Sequence, residues 1–263
     1  MDFNHSWDSS QYTKTSDLQA DVAGDLIKNL RIKHDECILD VGCGIGNISI
    51  EIAAIANNGY VVGIDDSSAM IDQACKNLSF KDLRNINFQV MSATEMKFYS
   101  HFDVVFSNSV LHWIKKQDMV LQSIYRCLKP GGRIGLQFPI LNTSHPMVRL
   151  VEKAIHSLRL ENKYTNWESP WYVPKSTDAY TDLLAQNHFK KITVKEVGTF
   201  YTFETALAVI GFFNSVGIDL LLQPISNKDG ISVKNEIIKI LESNKIGNGI
   251  KLEFHRLYAQ ASL

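Results

Sequence analysis

Three glycines stand at alternate positions, 42, 44 and 46, directly after an apolar run that ends at Val41. Without a Cβ, the backbone at these positions can take positive φ and approach a bound molecule closely. A helix predicted from Asn47 to Ala56 would aim its free N–H groups at whatever lies above the turn. The pattern therefore favours a turn that binds a nucleotide, although some purely structural turns share it.

A second apolar run, residues 60–64, ends in the carboxylate of Asp65, which lies roughly 20 residues after the third glycine, a separation typical of nucleotide sites. An acid at the end of a second strand can accept hydrogen bonds from both hydroxyls of a ribose. Asp65 and Asp66 lead into Ser67, which favours the start of a helix, so capping that helix is the alternative role of Asp65. The two segments together predict a nucleoside site.

The elements that must position these residues alternate between apolar runs and helical patterns, which is typical of an α/β protein with a doubly wound, mostly parallel sheet. The stretch Lys129–Gly132 predicts that a helix ends and the chain turns. From residue 139 to about 176 the pattern becomes helical and aromatic, which we interpret as an insertion. The predicted helices span 16–30, 47–56, 118–128 and 178–187, and the predicted strands span 38–41, 60–65, 86–90, 102–107, 133–138, 192–197 and 252–259.

Composition excludes several classes of protein. The chain has 27 basic and 28 acidic residues and a formal net charge of -1, which argues against a protein that neutralises many phosphates of a nucleic acid. The four cysteines, at 37, 43, 75 and 127, have no metal-ligand spacing, so we expect a reduced protein of the cytoplasm without a metal site. No apolar run has membrane-spanning length, and the polar start does not resemble a signal peptide.

The order of these motifs resembles the class I S-adenosylmethionine-dependent methyltransferases. Within them, the chain is similar to the group of malonyl-acyl-carrier-protein, trans-aconitate and juvenile hormone acid O-methyltransferases. The resemblance covers roughly residues 5–140 well and the remainder loosely. It rests on Leu39–Gly46, Gly63–Asp65, Phe102–Asn108, Leu111–Trp113 and Leu128–Gly132, and at the N-terminus on Trp7, Asp8, Tyr12 and Gln19.

The resemblance implies a Rossmann-like fold with seven strands, the last of them antiparallel, and a helical cap inserted after strand five. We expect one domain in three parts. Residues 1–138 would form an N-terminal lid and the cofactor-binding half, 139–190 the cap insertion, and 191–263 the part that completes the sheet. Residues 217–249 are helix-rich but carry no motif.

The resemblance also implies roles for individual residues toward the cofactor. Gly42, Gly44 and the turn that includes Cys43 and Gly46 would cradle the methionine part of S-adenosylmethionine. Asp40 would organise its ammonium group, and the backbone carbonyl of Asn108 would accept a hydrogen bond from it. The nucleoside would contact Asp65 through the ribose, Asp66 along the adenosine face, and Ser92 and Ala93 around the adenine, and Tyr12 and Gln19 would form part of a lid.

One position departs from the family pattern. Members of the family usually have an acid after strand three, which accepts a hydrogen bond from the adenine amino group. Ser92 stands there instead, and a neutral hydroxyl is a weaker acceptor than a carboxylate.

The methyl acceptor decides whether a general base is needed. A carboxylate is ionised at neutral pH and requires none, whereas a hydroxyl or amine would require a base, for which His112 is the best placed candidate. His112 and Trp113 follow strand four, where an open sheet presents side chains to its ligand, although the pair can equally be the packed start of a helix. No Asn-Pro-Pro-Tyr follows that strand, which argues against methylation of nucleobase amino groups.

The insertion offers apolar surface for an acceptor pocket, and the same aromatic side chains can instead form the small core of a helical cap. Arg149 is a candidate partner for a substrate carboxylate, and most arginines on such helices are solvated. The candidate residues of the insertion are His145, Arg149, Trp167, Trp171 and Tyr172.

We therefore expect a methyltransferase, monomeric or homodimeric, acting on a small molecule or an acyl group bound to a carrier, and we favour methylation of a carboxylate oxygen. Neither a nucleic acid nor a membrane is an expected partner. Three alternatives stay open: N- or C-methylation of a metabolite with His112 as the base, a nucleotide-dependent oxidoreductase, and a cofactor-binding protein without catalysis.

Overall fold

A computed structural model describes residues 16–244 and 249–263, and it describes side chains from residue 22 onward. Tyr12 therefore lies outside the described residues, and Gln19 is described only as part of a helix. The helices are α1 Ser16–Leu30, α2 Asn47–Ile55, α3 Ser68–Ser79, α4 Gln117–Cys127, α5 Pro146–Ser157, α6 Thr177–Gln186, α7 Ala206–Ser215, α8 Ile218–Leu221 and α9 Asn227–Ser243. The strands are β1 Cys37–Val41, β2 Tyr60–Asp65, β3 Ile86–Val90, β4 Phe102–Asn108, β5 Leu128–Pro139, β6 Lys190–Phe203 and β7 Ile250–Ser262.

The strands form one sheet in the order β3-β2-β1-β4-β5-β7-β6. β1 pairs in parallel with β2 and β4, β2 with β3, and β4 with β5, whereas β7 runs antiparallel. The predicted fold, a doubly wound and mostly parallel sheet with an antiparallel last strand, is confirmed. Because parallel strands end at the same edge, the residues that follow β1 to β5 meet there.

The central strands are apolar because both faces of the sheet are covered. Ile38 and Leu39 of β1 are completely buried. On α1, Val22, Leu26 and Leu30 recur every fourth residue and are all buried, which gives this helix one apolar face. A Cβ on Gly135 of β5 would lie 2.6 Å from the Leu30 side chain, so the missing side chain at 135 lets α1 pack closely on the sheet.

The start of β5 differs from the prediction. The sequence predicts a turn over 129–132 and a strand from Arg133, but the strand begins at Leu128. Phe102 of β4 pairs with Leu128 and Val104 pairs with Arg133, so a long bulge on β5 opposes a single residue of β4. Gly131, with φ +79°, lies inside this bulge, which means that the glycine pair makes an irregularity within the strand rather than a turn before it.

The chain divides into two compact units. The first comprises the described residues up to 138, with 174–196 and 257–263. The second comprises 139–173 and 197–256, and in it α5 packs against α9. Its aromatic core surrounds Phe254, whose ring centre lies 5.3–6.4 Å from those of His145, Tyr201, Phe203 and Phe212. None of the helices in the described ranges has the length and apolar character needed to cross a membrane.

Candidate functional site

The glycine turn that follows β1 is bonded to the end of β2. Gly42, Gly44 and Gly46 all have positive φ, at +77°, +53° and +79°. The N–H groups of Gly42 and Cys43 both donate to the carbonyl oxygen of Ile64, at 2.7 and 2.9 Å. These two bonds tie the turn to β2, and its conformation is one that residues with a Cβ rarely adopt.

Packing adds a second requirement for glycine at two of these positions. A Cβ built on Gly42 would lie 2.5 Å from Cγ1 of Val110 and closer still to Cγ2. At Gly46 it would lie 2.6 Å from the ring of Phe88 and 2.8 Å from Cβ of Ala74. Gly42 thus lets the chain after β4 approach the turn, and Gly46 lets α2 begin close to α3 and β3.

Asp65 connects the end of β2 to the glycine turn. Its Oδ2 accepts a hydrogen bond from the N–H of Gly44, and its Oδ1 accepts one from the N–H of Ser67, both at 3.0 Å. Ser67 caps α3 with its own hydroxyl, which accepts from the N–H of Met70 at 3.4 Å. Helix capping therefore does not require Asp65, and each of its carboxylate oxygens retains a lone pair for a ligand.

Asp40 is a buried acid one residue before the end of β1. Only 2% of its surface is exposed, and its Oδ2 accepts a hydrogen bond from Oγ of Ser49 at 2.5 Å. Burial, opposed by that hydrogen bond and reinforced by the negative charge of Asp65, raises the pKa of Asp40 to about 7. Burial likewise raises the pKa of Asp65, although the hydrogen bonds from Ser67 and Gly44 oppose it. Burial thus disfavours the ionised form of both carboxyl groups, and a ligand that carries a positive charge would favour it.

The ends of β4 and β5 carry a second group of polar residues. Asn108 lies opposite Gln137 in the parallel pair, and both are buried. Ser109 follows with φ +61°, and its N–H donates to the carbonyl oxygen of Gln137 at 2.7 Å. A residue other than glycine in this region stores backbone strain, which is frequent beside functional sites.

His112 and Trp113 lie in a short 3-10 turn, Leu111–Trp113, and α4 begins later, at Gln117. His112 is 4% exposed, Trp113 is half-buried, and their ring centres are 4.8 Å apart. The side-chain amide of Gln117 donates to the carbonyl oxygens of Leu111 at 2.8 Å and of Ile114 at 2.5 Å. The sequence alone did not single out Gln117, which fixes both ends of the turn.

The residues expected around the adenine follow β3. The N–H of Met91 donates to the carbonyl oxygen of Asp65 at 2.9 Å, which places the end of β3 beside Asp65. Ser92 is exposed and its hydroxyl lies 3.0 Å from that of Thr94, while Ala93 is half-buried. Asp66 is exposed next to Asp65.

The candidate residues of the insertion belong to the second unit. His145, before α5, is buried, and burial together with the charges of Arg256, His255 and Arg149 lowers its pKa to about 3. Arg149 is exposed. Trp171 is buried as part of a core, whereas Trp167 and Tyr172 are half-buried.

Comparison with known proteins gives one family and several relatives. The family model described as a methyltransferase domain matches residues 32–200. Trans-aconitate 2-methyltransferase of Acidovorax ebreus is 23% identical over 257 residues, which cover 97% of this chain and 95% of that protein. The putative methyltransferase 235L of Invertebrate iridescent virus 6 is 27% identical over 165 residues, so the match spans 63% of this chain but only 60% of the viral protein.

Solved structures share the fold at low sequence identity. The YcgJ protein of Bacillus subtilis superposes with a TM-score of 0.63 at 16% identity, covering 92% of this chain and 98% of that one. Phosphoethanolamine N-methyltransferase 2 of Haemonchus contortus, solved with S-adenosyl-L-methionine, has a TM-score of 0.63 at 17% identity and covers 98% of this chain and 58% of that one. At these identities the likeness concerns the fold alone.

Proposed function

This chain belongs to the methyltransferase domain family, and on that premise we propose that it transfers a methyl group from S-adenosylmethionine to a carboxylate oxygen of a small molecule or a carrier-bound acyl group. The family match confirms the class predicted from the motifs, an S-adenosylmethionine-dependent methyltransferase. One observation carries the choice of acceptor: a trans-aconitate 2-methyltransferase aligns with 97% of the chain.

The residues present fit S-adenosylmethionine. The glycine turn leaves its backbone open to a ligand, the lone pairs of Asp65 suit two ribose hydroxyls, and the buried acid of Asp40 suits a nearby ammonium group. When bound, S-adenosylmethionine supplies a methyl group on a positively charged sulfur, which is already activated for in-line displacement. Asp40 would ionise beside the ammonium group, because a nearby cation lowers the pKa of a carboxyl.

Toward the acceptor, the protein's task is to position it and to exclude water. A carboxylate is ionised at neutral pH, so a residue that removes a proton is not required. Holding the acceptor in line with the methyl group contributes most of the rate in such a reaction. We place His112 and Trp113 beside the acceptor, because they follow β4 at the ligand edge and Gln117 holds their turn in place.

Methylation of nitrogen or carbon is the second candidate, favoured by the buried His112 at the ligand edge. In that case His112 would be the general base, and activity would fall as the imidazole is protonated. Family membership leaves the oxidoreductase alternative without support. The alternative of cofactor binding without catalysis rests only on Ser92. A cytoplasmic location and a monomeric or dimeric state stay predictions.

The test compares methyl transfer to trans-aconitate, malonate, malonyl carrier protein, and matched alcohols and amines. We expect transfer to carboxylates only, with at least partial activity retained in His112→Asn and no loss of rate toward pH 6 when S-adenosylmethionine is saturating. His34→Asn, at an exposed position, is the matched control. Transfer to an amine that disappears in His112→Asn would favour the second candidate. Failure with every carboxylate would remove the proposed reaction.

A further inference from the structure

Gln137 is a polar side chain in the buried end of β5. None of its surface is exposed. Within the part of the chain that the structure describes, its amide nitrogen Nε2 has no hydrogen-bond partner. Buried amide donors are almost always paired in native proteins, so a donor left open here requires an explanation.

Contacts with Ser109 orient the amide. Oγ of Ser109 donates to Oε1 of Gln137 at 3.4 Å, and the N–H of Ser109 donates to the Gln137 carbonyl oxygen at 2.7 Å. Because Oε1 is held toward Ser109, Nε2 is directed away from it. An amide NH₂ group donates two hydrogen bonds and accepts none, so its missing partner is an acceptor.

The place of Gln137 in the sheet indicates which ligand could supply that acceptor. Asp40 pairs with Phe106, two residues before Asn108, and Asn108 pairs with Gln137. Side chains two residues apart on a strand share a face, so Asp40, Asn108 and Gln137 project from the same face of the sheet. Gln137 is the member of this row that lies furthest from the ribose acid Asp65.

Under the proposed function, the cofactor extends along this edge from β3, where the adenine is expected, through β2 and β1 to Asn108 on β4. β5 is the next strand in the sheet, beyond the end that carries the cofactor's ammonium group. A ligand group bound at the end of β5 is therefore more consistent with the methyl acceptor than with the nucleoside of the cofactor.

We infer that Gln137 is a specificity-determining residue whose Nε2 donates a hydrogen bond to a carboxylate oxygen of the methyl acceptor. This inference rests on the proposed function. One carboxylate oxygen of the acceptor would accept a hydrogen bond from Nε2, and the second oxygen of that carboxylate would stay free to be methylated. An amine or a saturated carbon at the same place offers Nε2 no acceptor, so the donor would stay unpaired and the ligand would bind weakly.

The test measures binding rather than turnover. Trans-aconitate, malonate and octanoate are titrated calorimetrically into the protein saturated with S-adenosylhomocysteine. In a separate titration, S-adenosylhomocysteine is added to the protein alone. Gln137→Glu replaces both N–H donors by a carboxylate, and Gln137→Met replaces them by an apolar chain of similar length. Gln122→Glu and Gln122→Met repeat the same changes at an exposed position on α4.

We expect the wild-type protein to bind at least one of the carboxylates, and both Gln137 variants to bind it about 10- to 100-fold more weakly, as for loss of a hydrogen bond to a charged group. The affinity for S-adenosylhomocysteine should be unchanged. The Gln122 variants should match the wild type in both titrations. Gln137→Met should also unfold at a higher temperature than the wild type without ligands, because it removes a buried unpaired donor.

Three results would overturn the inference. Unchanged carboxylate affinity in Gln137→Met is the first. Weaker binding of S-adenosylhomocysteine alone is the second, since the donor would then serve the carboxylate of the cofactor's own methionine. Failure of every carboxylate to bind the wild-type protein is the third. Binding of a carboxylate that depends on Gln137 but leads to no methyl transfer would contradict the proposed function and uphold the binding role.

Discussion

Replacing Asp40 by asparagine should make the ligand-free protein more stable at neutral pH. The change keeps the shape of the side chain and an oxygen that can accept from Ser49. It removes the negative charge, which the buried site disfavours. A buried carboxylate without a nearby cation is expensive to ionise, so the wild-type protein holds a proton on Asp40 that the unfolded chain releases.

The size of this effect follows from two pKa values. Asp40 titrates near 7 in the folded protein and at 3.8 in the unfolded reference. At about 1.4 kcal/mol per pH unit, this difference amounts to about 4 kcal/mol. Between the two values the folded state binds more protons than the unfolded state. The free energy of unfolding of the wild type therefore decreases as the pH rises from about 4 toward 7.

Urea unfolding at intervals from about pH 4 to about pH 8 measures the effect. We expect the wild type and Asp40→Asn to be similar near pH 4, and the variant to be more stable by up to about 4 kcal/mol above pH 7. Asp103→Asn is the matched control with the opposite sign. Burial would raise the pKa of Asp103, but hydrogen bonds from Lys129 and from the Cys37 backbone outweigh it and hold that pKa below its usual value.

The Asp103 variant should therefore lose stability relative to the wild type above pH 4, where the wild-type carboxylate is ionised and paired. If the stability difference between wild type and Asp40→Asn did not change with pH, the buried, protonated state of Asp40 would be refuted.

Three further predictions test the site. Gly42→Ala should lower the free energy of unfolding by at least about 2 kcal/mol and weaken S-adenosylhomocysteine binding, because alanine resists φ +77° and its Cβ meets Val110. Adding Val110→Ala should recover part of the stability in a double-mutant cycle, and strict additivity would contradict the packing argument. Asp65→Asn should weaken S-adenosylhomocysteine binding about tenfold or more in calorimetry, while Ser67→Ala, which removes only the helix cap, should cost about 1 kcal/mol of stability and leave binding intact. Gln117→Leu should lower kcat without changing the affinity for S-adenosylhomocysteine, since it frees the 3-10 turn; an unchanged kcat would show that the turn has no part in methyl transfer.

Local sequence signals predicted much of the fold. The strand Cys37–Val41 and the helix Ser16–Leu30 have apolar patterns that their own residues reveal, and the glycine turn between elements is visible without any tertiary information. The start of β5 was predicted wrongly for a physical reason. Gly131 and Gly132 are turn-forming residues, but the pairing of Leu128 with the distant Phe102 keeps the chain in the sheet on both sides of them.

The position of Asp65 at the end of β2, bonded to the glycine turn, was predictable because an apolar strand leads directly into it, and its role toward a ribose stays a prediction. Gln117 was missed because no sequence pattern marks an amide that bonds the carbonyl groups of a preceding turn, and both Gln117 and Gln137 also have contacts that only the fold brings together. The hydroxyl of Tyr180, 63 residues away along the chain, lies 3.4 Å from Oε1 of Gln117, and Ser109 lies 28 residues from Gln137. A signal was available for Gln137, since a polar residue interrupts the apolar run of β5 between Leu136 and Phe138.

The most direct test of the proposed reaction is to identify the bond that the transferred methyl group makes. The protein is incubated with trans-aconitate and S-adenosylmethionine carrying a ¹³C-labelled methyl group, and the product is examined by NMR before and after mild alkaline hydrolysis. We predict a labelled methyl ester, which alkali converts to labelled methanol. A label bound to nitrogen or carbon and stable to alkali would contradict carboxyl O-methylation, as would the absence of product from every carboxylate of the acceptor panel with protein that binds S-adenosylmethionine.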